Sequence, residues 1–159
     1  MMKKKIQKNK GFVILFAVTL SVILLSIALG VANIALREIK FGTSAKDTNE
    51  AFFAADTGAE CALINDKSTA NVFVDGPSIG TPKECNSSPL VITSPTSLFW
   101  TLTVSGLGSA GQACAKVTVD KTIAGKTSVI AKGYNNGGDA PGICIKGLNT
   151  VERELDVNY

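Results

Sequence analysis

Four cysteines, Cys61, Cys85, Cys114 and Cys144, and no histidine at all bound the chemistry open to this chain of 159 residues. Without an imidazole there is no Ser-His-Asp or Cys-His site, and no context marks out a Ser-Lys pair. Four thiolates could hold a metal, but no Cys-x-x-Cys spacing exists. In an oxidising compartment they make two disulfides, for which three connectivities exist. Cys61 with Cys85 and Cys114 with Cys144 is the favoured pairing, because each closes a short loop between neighbouring elements. Gly106-Leu107-Gly108-Ser109-Ala110-Gly111 fits the G-x-G-x-x-G pattern, yet a dinucleotide site needs a helix opening there, and Cys114 to Val119 reads as a strand. Gly125-Lys126-Thr127 lacks the first glycine of a phosphate loop, since Asp120 stands in its place. Both are expected to be hairpin turns. Asn135-Asn136-Gly137-Gly138-Asp139 offers calcium some oxygens but only one carboxylate. Asn86-Ser87-Ser88 matches a glycosylation acceptor by pattern alone. The expectation is no cofactor, no metal and no enzyme.

The remaining reactive position is a peptide bond. Lys3, Lys4, Lys5, Lys8 and Lys10 lead through Gly11 straight into an uncharged apolar run from Phe12 to Leu36. About 20 such residues cross a hydrocarbon core as a helix, and a lysine-rich flank stays inside. The expectation is a single pass with the N-terminus in and the C-terminus out. A secretory signal is cut behind its apolar region. Here the candidate cut, between Gly11 and Phe12, lies before it and would leave the helix attached; an uncut signal anchor is the alternative. Removing the leader leaves 11 Lys and Arg against 13 Asp and Glu, so the basic pI of about 8.7 belongs to the leader. No basic face remains to hold nucleic acid.

These positions need elements to carry them. No proline falls between Arg37 and Asp66, and Phe41, Ala45, Phe52, Ala55, Ala59 and Ala62 recur at helical spacing, predicting an amphipathic continuation of the apolar helix. Gly42 and Gly58 are expected to weaken or bend it. Small residues at Ala17, Ser21, Ser26 and Gly30 suit packing against copies or relatives of the same helix. The stretch 67–98 is rich in Ser, Thr, Pro and Gly and reads as a loop region with a short strand near Leu90 to Thr93. Beyond it the period becomes two: Phe99 to Val104, Ala113 to Lys121, Thr127 to Lys132 and Thr150 to Tyr159 read as strands. Val117, Val119, Val151, Leu155 and Val157 are their expected buried positions. Short loops between them predict an antiparallel meander whose apolar face covers the amphipathic part of the helix. The organisation is therefore 1–11 leader, 12–36 membrane half of the helix, 37–66 amphipathic half, 67–98 loop region and 99–159 sheet, an α+β fold.

Two blocks carry a family resemblance. Lys10-Gly11-Phe12 with the apolar run behind it resembles the class III signal of type IV prepilins. Ala51-Phe52-Phe53-Ala54-Ala55-Asp56-Thr57-Gly58-Ala59-Glu60 is similar to the stretch that pilin-like subunits carry where the helix enters the head, with Asp56 and Thr57 in place of the usual Glu-Ala. The last strand, Val151 to Tyr159, looks like theirs. The chain most resembles the PilX-type minor pilins and pseudopilins. The resemblance implies cleavage between Gly11 and Phe12 by a prepilin peptidase and N-methylation of Phe12. It also implies assembly into a type IV pilus or type II secretion-like filament, with other pilin subunits and the assembly platform as partners, and a role in assembly, priming or the tip. Where major pilins have glutamate five residues after the cut, this chain has Phe16, which points to the minor class. The alternative from another class is an uncleaved, membrane-anchored envelope binding domain stabilised by disulfides.

Overall fold

The computed structural model describes residues 10–69, 72–74, 84–85, 90–96 and 98–159. The leader before Lys10, the Asn86-Ser87-Ser88 sequon and half of the 67–98 region lie outside them. One helix, α1, runs unbroken through Lys10–Lys67, 58 residues. It is shared by two compact units, Met1–Thr43 and Ser44–Tyr159.

In the first unit every residue from Phe12 to Thr43 is exposed. The helix is long and apolar enough to cross a membrane. Its few hydroxyls bond back to their own helix: Ser21 Oγ donates to Ala17 O and Ser26 Oγ to Val22 O, both at 2.8 Å, and Thr19 Oγ1 to Phe16 O at 2.9 Å. In hydrocarbon, where no water can take that role, such bonds keep each hydroxyl satisfied. Gly42 has open space around it and interrupts nothing.

In the second unit the helix lies on a five-stranded antiparallel meander of order β1-β2-β3-β4-β5. The strands are β1 Val91–Thr96, β2 Phe99–Leu107, β3 Ala113–Asp120, β4 Ser128–Tyr134 and β5 Glu152–Asn158. The sheet therefore starts inside the stretch read as loop 67–98, at β1. Pro95 sits where the β1–β2 register shifts, between Thr93 and Thr96, and β1 is an edge, the place in a sheet where a missing N–H does least harm. Trp100, Leu102, Val104, Val117, Val119, Val129 and Ala131 turn inward and are buried. Leu155 and Val157 pack on them half-buried.

The buried stripe of the helix differs from the one expected. Ala51, Ala54, Ala55, Gly58, Ala59 and Ala62 face the sheet, whereas Phe41, Ala45 and Phe52 are exposed. The reason is the closeness of approach. A Cβ added at Gly133 of β4 would run into the backbone of Ala51 and Ala55, and one at Gly58 would come within 2.7 Å of Ala115 Cβ and 2.8 Å of Val117 Cγ2. Only Ala and Gly fit a helix held that near to a sheet, so both phenylalanines at the start of the contact are turned out. Gly58 therefore serves close packing.

Gly133→Ala is expected to destabilise the head by about 3 kcal/mol, since its Cβ collides with backbone that cannot rotate away. Gly42→Ala, with open space around it, should leave the urea midpoint of the full chain in detergent unchanged or slightly raised. Equal midpoints for Gly133→Ala and the parent would contradict this account of the packing.

Candidate functional site

The loops that looked chemical are built as structural turns. In the β2–β3 hairpin Gly106, Gly108 and Gly111 all have positive φ, at 73, 77 and 68°, a region that side chains disfavour. The chain then continues into β3 rather than into a helix, so no row of free N-terminal amides exists to hold a pyrophosphate. Ser109 at the tip donates to Glu50 Oε1 at 2.8 Å, joining hairpin to helix. Around Gly125-Lys126 the chain closes a turn, Lys126 N to Ile123 O at 3.0 Å.

The oxygens considered for calcium are already engaged. Asn135 Oδ1 accepts from Val151 N at 2.7 Å and Asn136 Oδ1 from Thr150 Oγ1 at 2.6 Å, while Asp139 stands exposed. Among the described residues no group of three His, Cys, Asp or Glu side chains is placed to hold a metal ion.

What this loop does is strap the sheet. Gly138 N donates to Gln112 O at 2.8 Å, Gly106 N to Gly138 O at 3.3 Å, and Gly142 N to Ser105 Oγ at 3.0 Å. Gly142 then lies against Val91 of β1. The segment after β4 thus crosses β3 and β2 to reach the far edge. The Cys114–Cys144 disulfide, Cα atoms 5.7 Å apart, clamps it in the middle. Lys146 Nζ donates to Glu152 Oε2 at 2.9 Å. That bond, more than the opposing effect of burial, holds the Glu152 carboxyl below the usual carboxylate range.

The second disulfide, Cys61–Cys85, Cα atoms 5.9 Å apart, ties the helix to the segment that follows it. Asn65, fully buried one turn further on, donates through Nδ2 to Cys61 O at 2.8 Å. Of the three connectivities, the structure has the one whose two loops are shortest taken together, with separations of 24 and 30 residues.

A polar knot with no local sequence signature closes the end of the helix. Asp66, almost fully buried, accepts from Lys121 Nζ through Oδ1 and from Tyr159 Oη through Oδ2. Lys121 also donates to Phe73 O at 3.0 Å, and Lys67 Nζ stands 4.1 Å above the Tyr159 ring. Burial first, and the Asp66 carboxylate second, push the Tyr159 hydroxyl well above its ordinary value. A phenol so shifted is no general base at neutral pH; it is a hydrogen-bond donor locked on a carboxylate.

The processing positions lie at the start of α1. Gly11 is in its first turn, and the side chains of Phe12 and Phe16 are 76 % and 59 % exposed. Beyond the knot and the disulfides, the described head surface offers shallow depressions of about 200 Å³, one lined by Phe53, Ala54, Thr57, Leu107 and Gly108.

The knot yields a pH test. A folded-state value raised above the unfolded one means stability that is complete below about pH 10 and lost as the pH rises beyond it, because the unfolded chain releases the tyrosine proton first. Tyr159→Phe should therefore show a shallower fall in melting temperature between about pH 8 and about pH 11. Asp66→Ala, which strands Lys121, should cost about 3 kcal/mol at neutral pH. Parallel pH profiles for Tyr159→Phe and the parent would refute the assignment.

In comparisons with known proteins, the chain matches no family model, no curated protein and no solved structure.

Proposed function

We propose that the chain is a minor pilin or pseudopilin, a subunit of a type IV pilus or type II secretion-like filament, whose work is assembly, priming or tip function rather than catalysis. The observation that carries this reading is the helix α1 itself. From Phe12 to Lys46 it buries nothing within the chain, and from Ala51 onward the same unbroken helix is the spine on which the sheet is laid. A membrane anchor alone needs about 20 apolar residues. Here an uncharged run of 25, from Phe12 to Leu36, opens a helix whose later residues carry the sheet, which suits a subunit whose apolar half passes from lipid into contact with other apolar helices.

In this reading the prepilin peptidase cuts between Gly11 and Phe12 on the inner side of the cytoplasmic membrane, Phe12 is methylated, and the head waits outside until the assembly platform incorporates it. Phe16, apolar where major pilins have a carboxylate, places no charge in lipid and offers none to a neighbour's amino terminus. That favours a minor position. The disulfides and the strap keep the head folded in an oxidising exterior.

Co-expression with the prepilin peptidase, followed by intact mass and N-terminal sequencing, tests the proposal. The expected product begins at methylated Phe12. A chain that keeps Lys3 to Gly11 beside an active peptidase leaves the anchored envelope binding domain as the better reading.

A further inference from the structure

On the outer face of the sheet lies a depression of about 190 Å³, lined by Asp120, Ile123, Lys126, Ser128 and Asn158. Three of these come from three neighbouring strands. Asp120 of β3 stands opposite Ser128 of β4, and Ser128 opposite Asn158 of β5, so the three side chains form one row on one face, each about 5 Å from the next. That face is the outer one, because Val119, Val129 and Val157 beside them turn toward the core. The other two stand on the β3–β4 turn, which Lys126 N closes on Ile123 O at 3.0 Å with Gly125 at a φ of 75°. Thr127 and Tyr159 exchange backbone hydrogen bonds of 2.7 and 3.1 Å next to the row. The lining thus sits on backbone that is already fixed, which spares a ligand the cost of ordering it.

The groups in this small space both give and accept hydrogen bonds. Thr122 N donates to Asp120 Oδ1 at 2.8 Å, which aims the carboxylate and holds its carboxyl below the usual carboxylate range. Asn158 Nδ2 donates to Asp156 Oδ1 at 2.9 Å, and its amide keeps a second N–H and its own oxygen for another partner. The Ser128 hydroxyl can act in either sense. Among the described residues neither Asp120 nor Lys126 belongs to an ion pair. A carboxylate and an ammonium therefore line one depression unpaired, and their charges sum to zero. Beside them Ile123 is 63 % exposed.

We infer that this depression binds one ring of a saccharide, a hexose whose hydroxyls bond Asp120, Ser128, Lys126 and Asn158 and whose C–H face lies on Ile123. An anion would meet Asp120 and a cation would meet Lys126, whereas an uncharged polyol uses both, because each hydroxyl donates and accepts. The volume agrees: pockets for drug-sized ligands measure about 300–1,000 Å³, so this one suits a single ring and not a nucleotide. The inference concerns the head alone and does not depend on the subunit reading.

The test is a titration of amide signals by nuclear magnetic resonance, on the isotope-labelled full-length protein in a detergent without a sugar headgroup, with glucose and with dextran as probes. The expected result is saturable shifts confined to residues 122–128 and to the backbone and side-chain amides of Asn158, with a dissociation constant for glucose of the order of 1 mM, as suits a ligand of so few atoms. A response to glucose alone marks a free sugar and to dextran alone a ring within a chain; each supports the inference. Asp120→Asn, which keeps the shape and removes the charge-assisted bond, should weaken binding about tenfold, and Asn158→Ala about fivefold. Lys116→Gln, on the same face but outside the depression, should leave it unchanged. Signals away from the depression that match the parent's show that each variant is folded; if Asp120→Asn does not fold, Asn158→Ala decides. No shift with either probe overturns the inference, as do shifts centred elsewhere, shifts that persist undiminished in both variants, or a depression that answers to calcium chloride and not to the sugars.

Discussion

The distance between helix and sheet in the head decides most of what else the structure contains. At Gly133 and Gly58 the two layers come so close that one additional carbon atom has no room. Everything facing across that gap is consequently small on the helix side: Ala51, Ala54, Ala55, Gly58, Ala59, Ala62. The bulk of the apolar burial must come from the sheet and its surroundings, from Trp100, Leu102, Val117, Val119 and Val129, with Phe73 set against Trp100 at 5.6 Å. A tightly packed interior tolerates such asymmetry only if the volumes on the two sides complement each other.

A close contact made of alanines has little to grip with, since a methyl group buries far less apolar area than a leucine. The fastenings lie at its two ends. At the start of the contact, Ser109 of the β2–β3 hairpin reaches Glu50, and Arg153 of β5 lies 3.4 Å from Thr48. At its far end Asp66 gathers Lys121 and Tyr159, so that the end of β3, the end of β5 and the last turn of the helix share one carboxylate. The Cys61–Cys85 bond adds a covalent tie one turn before that. The slide along the axis that a smooth alanine face would permit is blocked at both ends.

Much of this was legible in the sequence and some of it could not be. Strict alternation marked four strands within a few residues, and the short loops between them gave the meander. β1 was marked only as a short strand near Leu90 to Thr93, because Pro95 and the surrounding Ser and Thr look like loop, and an edge strand accepts what an inner strand would reject. The helix stripe was misread for a related reason. Large apolar residues normally point inward, so Phe41 and Phe52 drew the face toward themselves; here the closeness of the sheet reversed the rule and alanine marked the core. Asp66 and Tyr159 stand 93 positions apart and neither sits in a motif, so no local pattern announces their bond. The Gly-rich loops were separable from nucleotide sites because the element after each is a strand, and that is visible in a period of two.

The two halves of α1 invert the usual relation between hydrophobicity and burial. The half richest in Leu, Ile, Val and Phe is wholly uncovered within the chain, and the half that is buried is mostly alanine. For a helix that served only its own head, this order makes no physical sense, because exposed aliphatic surface on that scale is unfavourable in water. It becomes sensible once the first half has a solvent other than water, and lipid is the simplest. Lipid alone, however, explains the apolar residues and not the regularity with which the helix carries on past Arg37, through Ile39 and Phe41, still exposed and now beyond the uncharged run. Those residues stand exposed between the uncharged run and the part of the helix that the sheet covers. Within the chain, burial begins only where the sheet is laid on the helix, and there it falls on alanines that let the two layers approach.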